Sequence, residues 1–435
     1  MTVRLKNIGA AIAVTFALTV GIAGGFCDAP QHISFVARTV EAASPEVTDE
    51  RAESAYWTEQ NPDGERVLFT SDDIAAFNAA MRAETETLKD LANESVTPDV
   101  RYGVATRRGN LRTVPEPPDG SHYDEQQATA VDPCEALLVY EDSDDGKFSH
   151  VVMRNYEGWL SKREFGLTDR ATWMQFAAPK DFAVVTANQW WLHDDAMNQD
   201  VLCQMGAKIP IVYARSGDRP EAAGNMRRIG TTQLVERGAH RQNVREQYLE
   251  QRKRVAMLLV PSRAKGGALA VHEQPAVFDD DLHHGFLPCT ENNFVRQGFR
   301  FFGDIYGWGG LDDSVDCSAF TSDVYRSMGL EIPRDADVQG EVLPYRIRLH
   351  GRAATRLALL KAAFPIGTLL TNDTHVMMYI GCDADGTPMA LQAMSSYFDD
   401  DGKHYLRRVV LTTLTYPNAK GKPYIDGVKY LSAIR

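Results

Sequence analysis

Between Tyr306 and Phe320 the chain reads YGWGGLDDSVDCSAF, in which a single cysteine follows an acid, precedes a serine and lies downstream of three glycines. A thiol in that setting can act as a nucleophile if something removes its proton. Cys317 opens the run CSAFTSDVYRSMG, whose Phe320, Val324 and Met328 recur on one helical face, with Asp316 suited to the N-cap and Gly329 to the stop. The spacing therefore predicts a helix with Cys317 in its first turn. There the partial positive charge of the helix start favours thiolate over thiol and lowers the cysteine pKa. A small buried hydrophobe at the start of a helix is the competing reading.

A base for that thiol is offered by PIGTLLTNDTHVMMYIGCDADGTPMALQAMSSY. His375, Met377 and Tyr379 alternate on one face of a strand while Val376, Met378 and Ile380 take the other. Asp385 and Gly386 mark a turn, and pairing Gly381 with Gly386 sets His375 directly across from Gln392 on the same face. In such a set His375 takes the thiol proton and later protonates a leaving amine. Gln392 hydrogen-bonds the far ring nitrogen and fixes the tautomer. Taken alone, His375 reads as well as a satisfied histidine at a strand end.

These elements sit in a chain of 435 residues, long enough for two to four compact units. Hydrophobic content of 44%, aromatics at 9% and a mean hydropathy of -0.32 describe an ordinary globular chain that folds in water. A net charge of -13 repels phosphate backbones, and no basic block interleaved with aromatics overrides it, so nucleic acid is excluded as a partner. Arg4 and Lys6 precede the apolar run IGAAIAVTFALTVGIAGGF, which reads as a cleaved export signal, with a small-residue site near Ala42 or an earlier one near Gly24. A retained N-terminal anchor is the alternative, and Cys27 raises a lipoprotein reading that Phe26 before it fits poorly. The mature chain is expected to hold no membrane span. A cut near Ala42 leaves Cys134, Cys203, Cys289, Cys317 and Cys382, an odd set, so one thiol should stay free in an oxidising compartment.

Further along, Thr70 and Asp73 make a capping box ahead of Ile74, Phe77, Met81, Leu88 and Leu91 at helical spacing. Two β-rich tracts follow, ALLVYEDSDDGKFSHVVMRNYEGWLSKREF and then DFAVVTANQWWL, KIPIVYA and RVAMLLVPSR, each expected to close into a small barrel. From about Glu291 a helix-rich beginning gives way to a strand-rich end. Other chemistries find little support. No CxxC pair, HExxH pattern or GxSxG elbow is present, and no phosphate-loop Lys-Ser or Lys-Thr follows the glycines. His283 and His284 beside three aspartates read as a solvated loop rather than a metal site. Arg334 and Asp335 either order a cleft or form a structural ion pair, with the ion pair preferred. No metal or other cofactor is expected.

The segments YGWGG, DCSAF, VYRSMGLEIPRDADVQ, THVMMYIG and LQA together resemble the NlpC family of bacterial cell-wall cysteine endopeptidases, over roughly Asn293 to Ser396. The resemblance implies an α+β chain: a papain-like catalytic domain preceded by a short helical clip and two small SH3-like β-barrels. The expected division is a leader at 1–43, a clip at 44–98, a first barrel at 99–177, a second with an insertion at 178–290, and the peptidase at 291–435. It further implies Cys317 as nucleophile, His375 as general base and Gln392 as the third polar residue, where many relatives have histidine. The implied reaction is hydrolysis of the bond between γ-D-glutamate and a diamino acid in peptidoglycan stem peptides. Asp316, Ser318 and Tyr306 would hold a free N-terminal amine, and Trp308 matches the family's pre-nucleophile loop. A carboxylate with hydroxyls suits an ammonium group. An inert wall-peptide binding protein and an acyl transferase using the same cysteine and histidine are the rival functions.

Overall fold

The computed structural model describes residues 50–84, 100–194, 199–213, 256–399 and 401–434. The expected leader with Cys27, the positions Leu88 and Leu91, and the polar stretch 214–255 lie outside them. The chain divides into two compact units. One holds the described residues up to Ala76 with Pro288–Tyr325 and Ile332–Arg435, and the other holds Phe77–Leu287 with Arg326–Glu331.

The chain enters through a helix, Glu50–Glu59, a short strand β1 (Val67–Phe69) and a second helix, Ser71–Glu84. The second helix begins with the predicted capping box: the Thr70 backbone N–H donates to Asp73 Oδ2 at 2.9 Å, and the Asp73 N–H to Thr70 Oγ1 at 3.2 Å.

Strands β2 (Arg101–Ala105), β3 (Gly109–Arg112), β4 (Gln127–Val131), β5 (Ala136–Asp142), β6 (Phe148–Val152), β7 (Glu157–Ser161) and β8 (Phe165–Thr168) form a seven-stranded sheet in the order β4-β3-β7-β6-β5-β2-β8. After the helix Arg170–Ala177 come β9 (Phe182–Val185), β10 (Gln189–Asp194), β11 (Gln199–Gln204), β12 (Lys208–Tyr213), β13 (Ala256–Arg263), β14 (Leu269–Pro275) and β15 (Leu282–His284). Five of these pair as β14-β13-β12-β9-β15, with β10 and β11 as a separate hairpin.

Neither sheet closes into the barrel that the sequence predicted. Closure would need β8 to meet β4. Instead the outer edge of β8 is occupied by the second tract, where Leu167 bridges Ala268 and its N–H donates to the Gly267 carbonyl at 2.9 Å. The two tracts also share one core. Val104, Leu138, Trp173 and Phe176 from the first pack with Val185, Leu192, Ile209 and Leu258 from the second. The expected loop at His283 and His284 is strand β15 paired with β9, and His284 Nε2 meets Asp181 Oδ1 at 2.6 Å.

The other unit resumes at β16 (Cys289–Thr290), which pairs with β1. Helices Glu291–Arg300, Cys317–Ser327, Ala336–Val342 and Ala353–Ala363 accompany β17 (Tyr345–Arg348), β18 (Leu369–Thr371), β19 (Val376–Cys382), β20 (Pro388–Asp399), β21 (Gly402–Thr413) and β22 (Tyr430–Ala433). The last six strands make one antiparallel sheet, β17-β22-β18-β19-β20-β21. Helix Glu291–Arg300 approaches one face so closely that a Cβ on Gly298 would lie 2.8 Å from Met378 Cε and 2.9 Å from Leu391 Cδ1. On the opposite face Met377, Tyr379 and Ala390 pack with Leu360 and Phe364 of the helix Ala353–Ala363.

The β19–β20 hairpin departs from the predicted register. Met378 pairs with Leu391 and Tyr379 with Ala390, then a bulge at Ile380 puts Gly381 opposite Met389. Continued outward, Gln392 stands opposite Met377, two residues from the predicted partner. A slip of two preserves the face, because side chains alternate with period two. Gln392 therefore still faces the same way as His375.

Candidate active site

Cys317 is the first residue of its helix, and Asp316 is the cap: its Oδ1 accepts from the Ala319 N–H at 2.8 Å. The predicted apolar stripe of Phe320, Val324 and Met328 is fully buried. The Asp316 carboxylate is buried and takes three further donors: the Gly309 N–H at 3.0 Å, the Ser318 hydroxyl at 3.2 Å and Arg334 Nη2 at 2.6 Å. Arg334 Nη1 also donates to Ser318 Oγ at 2.7 Å. The ion pair that the sequence reading placed at Arg334 and Asp335 joins Arg334 to Asp316, beside the nucleophile, and Arg334 holds the Asp316 carboxyl below its ordinary range against the opposing effect of burial.

The loop before the cysteine is tied to the same carboxylate. Tyr306 is buried and bridges Val315, while Trp308 stands 39% exposed. Gly307 cannot carry a side chain, since a Cβ there would fall 1.9 Å from the Leu311 carbonyl oxygen. Asp312 and Arg407 both adopt positive φ, 57° and 52°, and are joined by an ion pair of 2.7 Å. That pair fastens the loop to the bulge of β21.

His375 immediately precedes β19 and is half-buried. Its Nε2 lies 2.7 Å from Gln392 Oε1, so Nδ1 is the nitrogen left for the thiol. The backbone N–H of the next residue, Val376, donates to the Cys317 sulfur, which brings the thiol to the start of β19 beside His375. Cys317 is a free thiol. Its protonation differs from the expectation drawn from the helix start. Burial and the Asp316 charge push the Cys317 thiol up to about 12, and the N–H donors and Arg334 oppose this only in part. Burial likewise lowers His375, against the Gln392 hydrogen bond and Asp316. The resting pair is a neutral thiol and a neutral imidazole.

Three contributors went unread in the sequence. Thr412 and Tyr416 both contact the Gln392 amide, and Tyr424 packs edge-on against the His375 ring at 6.2 Å. Thr412 lies on β21 while Tyr416 and Tyr424 follow that strand, and none of these segments shows a motif.

Residues 303–399 match the NlpC/P60 family, and residues 113–161 match the SH3 domain of the SH3b1 type. The chain carries an NlpC/P60 domain. This is a cysteine peptidase family of hydrolases, and the matched span includes Cys317, His375 and Gln392. No curated protein sequence matches the chain. Among solved structures it is similar to an NlpC/P60 endopeptidase from Photobacterium damselae subsp. piscicida, with a TM-score of 0.57 and 12% identity over 88% of this chain and 92% of that one. It is also similar to an NlpC/P60 family protein from Bacillus cereus ATCC 10987, with a TM-score of 0.47 and 14% identity over 77% of this chain and 99% of that one. At 12% identity the likeness to the Photobacterium protein is one of fold. Among the described residues no cluster of His, Cys, Asp or Glu could hold a metal ion, and no helix is long and apolar enough to cross a membrane.

Proposed function

We propose that this NlpC/P60 protein is an exported cell-envelope endopeptidase that hydrolyses the γ-D-glutamyl to diamino acid bond of peptidoglycan stem peptides. One observation carries the reading: the Cys317 sulfur accepts the Val376 N–H, directly after a His375 whose Nε2 is held at 2.7 Å by Gln392. In the reaction the sulfur attacks the γ-carbonyl carbon as its proton passes to His375 Nδ1. The tetrahedral adduct collapses, the C–N bond breaks, and His375 returns the proton to the departing amine. Water, deprotonated by His375, then cleaves the thioester and restores the thiol.

Released peptides with a free N-terminal amine are the preferred substrates in this reading. Asp316 is ionised at neutral pH, and of its four donors the Ser318 hydroxyl at 3.2 Å is the most distant and the one an ammonium can share. Tyr306 and Trp308 complete the recognition set. Because Arg334 already balances the Asp316 charge, the selectivity comes from hydrogen-bond geometry more than from net attraction. The papain-like core at 291–435 follows a clip at 44–98 and two SH3-like elements at 99–177 and 178–290, and the leader at 1–43 directs export. The test is incubation with defined stem peptides, with and without N-acetylation, followed by mass spectrometry. Cleavage at the γ-D-glutamyl bond, faster for the free amine, is expected. Cleavage elsewhere, or transfer of the acyl group to an added amine in place of water, overturns the reading.

A further inference from the structure

His375, Gln392 and Thr412 come from the start of β19 and from β20 and β21, three neighbouring strands of one sheet. In the β20–β21 ladder Gln392 pairs with Val410 and Ala390 with Thr412, so Thr412 lies diagonal to Gln392 on the same face. Gln392 and Thr412 are both fully buried. The Gln392 amide has two chemically opposite ends. Its oxygen meets His375 Nε2 at 2.7 Å, while its nitrogen donates to Thr412 Oγ1 at 2.7 Å and to the Tyr416 hydroxyl at 3.4 Å.

Were the amide turned over, its N–H₂ would face Nε2, which could then only accept. The ring proton would move to Nδ1, the nitrogen that must receive the thiol proton, and the base would be lost. A lone hydroxyl can donate or accept and would tolerate either orientation. Tyr416 removes that freedom: it stacks on Tyr424 at 4.7 Å and hydrogen-bonds it, and Tyr424 in turn accepts from Asn372 Nδ2 at 3.1 Å. With the Tyr416 proton directed to Tyr424, the Tyr416 oxygen is left as an acceptor for the Gln392 N–H₂.

We propose that Tyr416 is a positioning residue that orients the Gln392 amide, which Thr412 holds in place, and thereby selects the His375 tautomer with a free Nδ1. This rests on His375 acting as the base. It predicts that Tyr416→Phe, close in shape but unable to accept, lowers kcat by about 10-fold to 100-fold with KM little changed, because the tautomer serves the chemical step rather than binding. Thr412→Ser keeps the rate, and Tyr416→Phe has no further effect in a Gln392→Ala background.

The deciding measurement is the ¹⁵N spectrum of the His375 ring in the full-length protein, which distinguishes protonation at Nδ1 from protonation at Nε2 without reference to turnover. Wild type and Thr412→Ser should show Nε2–H. Tyr416→Phe should show a population with Nδ1–H, whereas Thr412→Val, which leaves the Tyr416 acceptor in place, should keep Nε2–H. An unchanged ring tautomer in Tyr416→Phe overturns the proposal, even if activity falls. A tautomer shift in an enzyme whose His375→Ala form remains active upholds the positioning role and overturns the catalytic reading instead.

Discussion

A thiol raised to about 12 beside an imidazole lowered from 6.5 makes a neutral pair, so proton transfer accompanies attack rather than preceding it. Cys317→Ala and His375→Ala are each expected to reduce hydrolysis by several orders of magnitude while thermal unfolding stays near wild type. Gln392→Ala should lose less, since His375 keeps its proton-transfer role. The pH profile of kcat/KM carries a second prediction. In the proposed mechanism activity requires neutral His375, and its pKa is depressed by burial, so activity is expected to persist as pH falls below 6.5 and to be lost only as pH falls through the lowered value. An acid limb centred above 6.5 would contradict a buried base. Iodoacetamide labelling of Cys317 should likewise slow in His375→Ala, because the raised thiol depends on its neighbour for deprotonation.

At the scale of elements, Asp316 joins the helix cap, the preceding loop and the Arg334 guanidinium through one buried carboxylate. Asp316→Asn leaves Arg334 buried without its counter-charge, which typically destabilises by about 3 to 5 kcal/mol. Cleavage of free-amine peptides should fall more than cleavage of acetylated ones, and equal losses would assign Asp316 to structure alone. Its folded pKa is depressed, so the stability it contributes is present above the unfolded carboxyl value and lost as pH falls through the folded one. Much of this was legible in the chain. The Phe320, Val324 and Met328 stripe announced the helix, and the alternation from His375 to Ile380 announced the strand, because each pattern is periodic and local. The hairpin bulge at Ile380 escaped, since an extra residue leaves the alternation on either side intact. Thr412 and Tyr416 escaped because their meaning depends on a register two strands away. The thiol pKa was misjudged because a helix start can be read from sequence, whereas its burial depends on what packs over it.

For the molecule as a whole, Glu164 gives a pH signature remote from the chemistry. Burial raises its carboxyl to about 7, and among the described residues its Oε2 has no hydrogen-bond partner. A carboxyl raised in the folded state supports stability fully below its unfolded value of 4.5, and that support is lost as pH rises through about 7. Wild type should therefore melt lower at pH 8 than at pH 5.5, and Glu164→Gln should raise the pH 8 value towards the acid one. A mutant that melts identically to wild type at pH 8 would place Glu164 in water. The seam at Leu167 and Ala268 bears on a different property, namely how this part of the chain can be inherited or exchanged. A self-contained SH3-type fold can be moved between proteins as a cassette, with its ends cut wherever the strands stop. Here a cut after Thr168 would strip the cover from β8 and open a core to which both tracts contribute, leaving a bare strand edge ready to pair with another chain. The two sheets must therefore melt in a single transition, tolerate recombination only as a joined pair, and diverge together.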